Sequence, residues 1–236
     1  MLQGKDIFKQ VDNLVILNNI NLCIEPSKIT CLIGPSGSGK SSCINCLSLL
    51  SPPSRGIICL NGRDYSFNGM KSDYSDFPYP LVTVVFQGVF LFPHMTNEKN
   101  ILLPLKEQKR DLSNYDAIID KLNIRNVLYK YPTECSGGEK QRVALARQIL
   151  LEPKFLLLDE VTSALDIETI NIVADLLIEQ KNKGIGILLA THTINLAKRI
   201  GDNFYFIDKG QIVESGEISE LDTPKTERLK VFLQLL

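Results

Sequence analysis

Apolar runs separated by polar and helical segments along the chain predict an α/β fold. The clearest run covers residues 29–33 and is followed by a glycine-rich loop and an apolar stretch over residues 40–50. Because Pro52 and Pro53 cannot continue a helix, this order predicts a strand, a loop and a helix that ends before them. Short apolar or β-rich runs predict further strands at residues 15–23, 56–60, 81–86, 155–158 and 185–190.

The segment between residue 88 and about residue 150 has a different pattern. Its apolar positions follow helical spacing with loop breaks at Pro93, Pro104 and Pro132, which predicts an inserted helical subdomain. After this stretch, a segment with helical periodicity separates two wholly apolar strands, which is typical of a parallel sheet with crossover helices. A hairpin and a short amphipathic helix end the chain. We expect one domain over residues 1–236, with a mixed-sheet core, an N-terminal antiparallel β subdomain and a helical insertion at about 88–150.

Composition and charge indicate the compartment in which the protein is located and the kind of partner it has. With 44% hydrophobic and 22% charged residues the chain can bury a core, and its net charge of -1 provides no basic field for nucleic acid. No stretch approaches the roughly 18 apolar residues of a membrane-spanning helix, and the N-terminus lacks an apolar signal segment. Cys43 and Cys46 form a C-x-x-C without a second pair or clustered histidines, which disfavours zinc. We expect a cytosolic protein with reduced thiols and no nucleic-acid partner.

The glycine-rich loop carries the strongest chemical motif. It matches G-x-x-x-x-G-K-[ST] and lies between the predicted strand and helix, which is the context a phosphate-binding loop requires. Glycines let backbone N–H groups converge on phosphate oxygens, Lys40 reaches the β- and γ-phosphates, and the Ser41 hydroxyl is a ligand for Mg²⁺. The residues predicted to hold the nucleotide here are Gly34, Pro35, Ser36, Gly37, Ser38, Gly39, Lys40, Ser41 and Ser42.

Two carboxylates follow the apolar strand at residues 155–158. Asp159 is predicted to hold Mg²⁺, and Glu160 to act on the attacking water as a general base or orienting group. An acidic pair after a strand is by itself commonly a solvated loop. Together with the phosphate loop, and at the sheet edge where α/β folds bind ligands, the catalytic interpretation is favoured.

Residues 135–142, CSGGEKQR, precede a helix-like run. Ser136 and Glu139 form an S-x-x-E capping box, which predicts a helix N-terminus with free N–H groups. Capping explains the serine and the glutamate but not Gly137 and Gly138, which suit close backbone approach to a ligand. The segment resembles the signature motif of ABC ATPases, usually L-S-G-G-Q, with Cys135 in place of the leucine and Glu139 in place of the glutamine.

This resemblance extends over nearly the whole chain and implies roles for further residues. Gln87 matches the Q-loop glutamine, which senses Mg²⁺ and the attacking water and contacts the membrane subunit. Asp166, with residues 163–165, matches the D-loop, which communicates across a dimer and contributes to the nucleotide site. His192 matches the switch histidine that contacts the γ-phosphate. One position departs from the family, because Val11 stands where an aromatic residue ordinarily stacks on adenine.

The resemblance implies an ATP-hydrolysing subunit of an ABC transporter, peripheral on the inner face of the cell membrane. Its expected partners are a second ATPase in a homodimer or pseudo-dimer around two MgATP, integral-membrane permease subunits and an extracytoplasmic solute-binding protein. Residues 86–96 resemble ATPases of polar amino-acid importers, whereas residues 100–105 resemble those of methionine importers and lipoprotein-release or export systems. Amino-acid import is the favoured hypothesis. A lipoprotein-release or export-type system and a soluble non-transport ABC ATPase remain the alternatives.

Overall fold

The computed structural model describes residues 1–69, 78–162 and 165–235. Its strands are β1 (Leu2–Val11), β2 (Leu14–Ile24), β3 (Ile29–Ile33), β4 (Arg55–Leu60), β5 (Arg63–Asn68), β6 (Val82–Val85), β7 (Phe155–Asp159), β8 (Gly186–Thr191), β9 (Asn203–Asp208) and β10 (Gln211–Glu217). Its α-helices are α1 (Lys40–Leu47), α2 (Asn97–Glu107), α3 (Tyr115–Lys121), α4 (Gly137–Ile149), α5 (Ile167–Asn182), α6 (Ile194–Ile200) and α7 (Glu227–Gln234).

A six-stranded sheet forms the centre of the molecule, in the order β10-β9-β3-β8-β7-β6. The five strands from β9 to β6 run parallel, and β10 is an antiparallel edge strand. Every residue of β3, β7 and β8 is buried, which explains why these strands appear in the sequence as unbroken apolar runs. Parallel strands place their carboxyl ends at one edge, so the loops after β3, β7 and β8 lie side by side.

A second sheet is antiparallel, in the order β2-β1-β4-β5. It packs with α1 against one face of the central sheet, where Leu32, Leu157 and Leu188 point. The opposite face, which carries Cys31, Leu156, Leu158 and Leu189, is covered by the remaining helices. This arrangement confirms the predicted fold class of a mixed sheet with an antiparallel β subdomain and inserted helices.

Three of the helices, α2, α3 and α4, lie within the stretch predicted to be helical. One expectation about this stretch is wrong, because Pro104 lies inside α2 and does not end it. Ile101 and Leu105, on either side of the proline, are almost completely buried. Their packing stabilises the helix across the one backbone hydrogen bond that proline cannot donate. Among the described residues, no helix is long and apolar enough to cross a membrane.

Candidate nucleotide-binding site

The loop that follows β3 returns the chain tightly to the start of α1. A side chain at Gly34 would place its Cβ 2.2 Å from the backbone oxygen of Ile207, so only glycine fits without moving backbone. Gly39, which precedes α1, has φ 109°, in the left-handed region that favours glycine. The Ser38 hydroxyl is buried and has no hydrogen-bond partner among the described residues. The glycines therefore shape a narrow cradle with a polar lining at the N-terminus of a helix.

Lys40 occupies the centre of this cradle. Its side chain is buried, and its ammonium donates hydrogen bonds to the backbone oxygens of Gly34 at 2.9 Å and Pro35 at 3.0 Å. The same nitrogen lies 3.3 Å from Oε1 of Glu160, which follows β7. A buried ammonium requires such partners, since an unpaired charge would be costly. The loop thus folds around its own lysine and brings it against a carboxylate that is 120 positions away in the sequence.

Asp159 ends β7 and is buried beside the start of α1. Burial raises the pKa of its carboxyl group, and the nearby charge of Glu160 adds to this, while a hydrogen bond with the Ser41 side chain and the charge of Lys40 lower it. Oδ1 of Asp159 is buried without a hydrogen-bond partner in the described part of the chain. A buried carboxylate oxygen beside a hydroxyl is a suitable partial donor set for Mg²⁺, which takes one or two protein oxygens together with phosphate oxygens. The residues present therefore fit a magnesium ion.

Glu160 has an unusual backbone conformation. Its φ is 49°, which is uncommon for a residue with a side chain, and its N–H donates to the backbone oxygen of Ala190 at 3.0 Å. In this conformation its carboxylate lies between Lys40 and His192, with Oε2 at 3.7 Å from Nδ1 of His192. His192 follows β8 and is half exposed. The edge formed by β3, β8 and β7 thus gathers a lysine, a carboxylate and an imidazole at one point.

Gln87 lies after β6, the strand next to β7 at the edge of the central sheet, and it is exposed. Nε2 of Gln141 in α4 donates to the backbone oxygen of Phe86 at 3.5 Å. This hydrogen bond links the segment that carries Gln87 to α4. The described structure therefore positions Gln87 on the same sheet edge as the phosphate loop, with two strands, β8 and β7, between β6 and β3.

The signature-like segment begins α4 as the capping box predicts. The Ser136 hydroxyl accepts a hydrogen bond from the Glu139 N–H at 3.2 Å, and the Glu139 carboxylate accepts one from the Ser136 N–H at 2.7 Å. The second bond is the main reason that the pKa of Glu139 is lowered. Cys135 is buried, and its sulfur lies 3.1 Å from the Asn97 side-chain nitrogen. Ser136 and Gly137 remain exposed at the surface.

Asp166 caps the N-terminus of α5. Its carboxylate accepts a hydrogen bond from the Thr169 N–H at 2.7 Å, and this bond is the main reason that its pKa is lowered. The Thr169 hydroxyl accepts a second bond, at 3.2 Å, from the guanidinium of Arg142 in α4. The aspartate at the start of α5 is a typical N-cap residue, but no local pattern in the sequence indicates the bond between Arg142 and Thr169, which joins two helices. Ser163 and Ala164, which also belong to the predicted D-loop, lie outside the described residues.

Val11, which stands where the family ordinarily has an aromatic residue, lies in β1 together with Phe8, the nearest aromatic residue on this strand. Val11 lies at the end of β1 and is 51% exposed. Phe8 is half-buried, with the Arg55 guanidinium 4.4 Å from the centre of its ring. Shifts of register on both sides of Lys9 show that β1 is irregular, so the two side chains do not follow simple alternation. Arg55 nevertheless occupies one side of the Phe8 ring.

Comparison with known proteins gives consistent matches. A family model described as ABC transporter matches residues 17–163. The glutamine transport ATP-binding protein of Bacillus subtilis is 35% identical and covers 99% of this chain and 98% of its own length. The L-cystine import ATP-binding protein of the same organism is 35% identical, over 99% of this chain and 97% of its own. The arginine transport ATP-binding protein of Corynebacterium glutamicum is 33% identical, over 100% and 98% of the two chains.

Solved structures agree with the sequence matches. An ATP-binding subunit of an ABC transporter superposes with a TM-score of 0.84 and 26% identity, covering 99% of both chains. A dimeric ATP-binding cassette in a post-hydrolysis state, bound to ADP and Pi, superposes with a TM-score of 0.77 and 25% identity over 92% of this chain and 99% of its own. The same architecture therefore occurs in a cassette that binds a nucleotide as a dimer.

Proposed function

The chain belongs to the ABC transporter family, and we propose that it binds and hydrolyses ATP as one half of a dimer that drives a membrane permease. The observation that carries this proposal is the meeting of Lys40, Glu160 and His192 beside the phosphate loop. A phosphate cradle next to a carboxylate and an imidazole provides both the binding and the water chemistry that phosphoryl transfer requires.

In the proposed mechanism each residue has a separate task. Lys40 exchanges the backbone oxygens of Gly34 and Pro35 for the β- and γ-phosphate oxygens of ATP, while loop N–H groups hold the rest of the phosphate chain. Ser41 and Asp159 hold Mg²⁺, which neutralises charge on those phosphates when it is bound.

In this proposal the residues around the γ-phosphate activate the attacking water. The Glu160 carboxylate orients the attacking water and accepts its proton, and His192, 3.7 Å away, contacts the γ-phosphate. Gln87 completes the group from the neighbouring strand and transmits the nucleotide state to the permease. These side chains follow neighbouring strands, so the rigid sheet sets their spacing.

The second half of each nucleotide site comes from the partner subunit in this proposal. Ser136, Gly137 and Gly138 at the N-terminus of α4, together with Asp166 at that of α5, face the nucleotide of the opposite subunit. Exposed N–H groups at a helix N-terminus attract phosphate, which supports this role. The dimeric cassette with ADP and Pi among the structural neighbours supports it as well.

The transported solute is an amino acid in this proposal. Glutamine, L-cystine and arginine appear in the names of full-length relatives that are 33% to 35% identical to this chain. These names favour amino-acid import over lipoprotein release and over a soluble non-transport ATPase. The permease subunits and an extracytoplasmic solute-binding protein complete the system, with this chain peripheral on the inner face of the membrane.

Mixed dimers test the shared site. With Lys40→Ala in one subunit and Ser136→Ala in the other, both lesions fall in one composite site and the second site stays whole. With both lesions in one subunit, both sites are damaged. We expect phosphate release to persist in the first arrangement and to fall much further in the second. Equal rates would contradict the dimer proposal, and failure to co-purify with any integral-membrane protein would contradict the transport proposal.

A further inference from the structure

The backbone that follows β6 is strained next to Gln87. We call residues 86–90 the Gln87 segment. Val89 and Phe90 have φ values of 53° and 40°, in the left-handed region that residues with side chains seldom adopt. For a β-branched residue such as Val89 this conformation is especially unfavourable. Two such residues in succession persist only where the surrounding structure holds them, so the Gln87 segment needs a partner outside itself to keep this shape.

Arg147, near the C-terminal end of α4, is that partner. Its guanidinium donates hydrogen bonds to the backbone oxygens of Phe90 at 3.0 Å and Val89 at 3.4 Å. Burial lowers the pKa of Arg147, and no carboxylate in the described part of the chain offsets this effect. A partly buried guanidinium needs acceptors, so the arginine and the two carbonyls stabilise each other. The two strained residues are therefore the two that Arg147 holds.

A second contact joins the Gln87 segment to the same helix. Nε2 of Gln141 donates to the backbone oxygen of Phe86 at 3.5 Å. Gln141 precedes Arg147 by six residues, which is about 9 Å along the axis of α4. Gln87 itself is exposed and lies between the backbone positions that these two side chains hold. The place of Gln87 is thus set by the backbone on either side of it rather than by burial of its own side chain.

We propose that Arg147 is a positioning residue that fixes Gln87 relative to α4. This inference rests on the proposed function, in which Gln87 acts at the nucleotide of its own subunit and the start of α4 meets the nucleotide of the partner. One helix then carries both contacts, so a movement of α4 on dimer closure moves the Gln87 segment with it. Arg147 touches neither the nucleotide nor the attacking water, and its effect on turnover passes through Gln87.

Hydrogen exchange on the full chain without nucleotide tests whether Arg147 holds the segment. Arg147→Met removes the donors and keeps an apolar stem, so we expect the amides of Val89 and Phe90 to exchange at least about tenfold faster. The amides of β7, in the central sheet, should keep their parental rates. Arg147→Lys can still donate but lacks the planar fork, so it should give intermediate rates. Parental exchange at Val89 and Phe90 in Arg147→Met, or an equal acceleration in β7, would overturn the proposal.

A double-mutant cycle on multi-turnover phosphate release tests whether the effect passes through Gln87. We expect Arg147→Met to lower kcat at least about tenfold and to keep ATP affinity within about threefold of the parent, because the phosphate loop is unchanged. Gln87→Ala and Arg147→Met together should be no more than about threefold slower than Gln87→Ala alone, since both changes remove one function. Losses that multiply, or a parental kcat in Arg147→Met, would overturn the proposal.

Arg125→Met is the matched control. This arginine also lies in the helical stretch, is 52% exposed and pairs with Asp116 and Asp120 rather than with backbone oxygens. It should keep parental exchange in the Gln87 segment and parental turnover. Slow turnover in this control would assign the effect of Arg147→Met to loss of positive charge and overturn the proposal. A parent that hydrolyses no ATP would contradict the proposed function, whereas the exchange rates need no nucleotide and still decide whether Arg147 holds the segment.

Discussion

Replacing Glu160 with glutamine tests the proposed chemistry most directly. The glutamine keeps the size of the side chain and an oxygen that can accept from Lys40, which lies 3.3 Å from Oε1. It removes the negative charge and the basic group that would accept a proton from water. The positive φ of 49° imposes the same backbone cost on both side chains, so the substitution changes chemistry rather than backbone geometry.

The expected losses in stability and in activity differ in size. Breaking a buried ion pair costs up to roughly 3–5 kcal/mol when a charge is left without partners. Lys40 keeps two backbone oxygens, at 2.9 and 3.0 Å, so we expect a loss of about 1–2 kcal/mol. A domain that begins with roughly 5–15 kcal/mol stays almost fully folded after such a loss. Loss of a general base, by contrast, slows turnover about 10²-fold or more, which is about 2.7 kcal/mol of barrier.

Multi-turnover phosphate release at saturating MgATP measures the effect, together with ATP affinity and the ATP-dependent dimer on size exclusion. We expect turnover to fall at least about 10²-fold, ATP affinity to persist and the ATP-bound dimer to accumulate. Glu227→Gln is the matched control, because that glutamate is 82% exposed at the start of α7. A Glu160→Gln rate within about threefold of the parent would remove Glu160 from the catalytic role.

Three further substitutions probe the rest of the site. Gly34→Ala would place a methyl group 2.2 Å from the backbone oxygen of Ile207, so we expect the loop to shift and ATP affinity to fall at least about tenfold. A fluorescent-nucleotide titration measures this, and parental affinity would refute the claim that only glycine fits at this position. Val11→Tyr should tighten ATP binding by up to about tenfold, or about 1.4 kcal/mol, because Val11 is exposed and the Phe8 ring is held by Arg55. Competition titrations of ATP and GTP measure this, and unchanged affinity would show that another ring covers the base. Burial raises the pKa of Asp159, so the folded state loses stability relative to the unfolded state as pH rises above the ordinary carboxyl value of 3.8. Asp159→Asn should therefore be more stable than the parent in urea at pH 7 without magnesium and should lose the magnesium dependence of ATP binding; a less stable variant would contradict the sign.

The sequence alone was sufficient for features that depend on near neighbours. The strand over residues 29–33, the loop that contains Gly34 and Lys40, and the capping box of Ser136 and Glu139 each join positions only a few residues apart. Backbone sterics and hydrogen bonds act over that range, so residue type and spacing carry the information. The same holds for the apolar runs of β7 and β8, whose complete burial leaves no polar face to obscure them.

Other features depend on which strands are neighbours. The contact of Lys40 with Glu160, the left-handed backbone of Glu160 and its hydrogen bond to Ala190 follow from the order β3-β8-β7, which no local pattern contains. Pro104 was predicted to break a helix because propensity is local, whereas buried packing on both sides decides the outcome. One cavity is lined jointly by Gln180 of α5, Ile118 of α3 and Ile149 of α4, and the side-chain nitrogen of Gln180 is buried without a hydrogen-bond partner among the described residues. An unpartnered amide is defined by what surrounds it, so only the assembled fold reveals it.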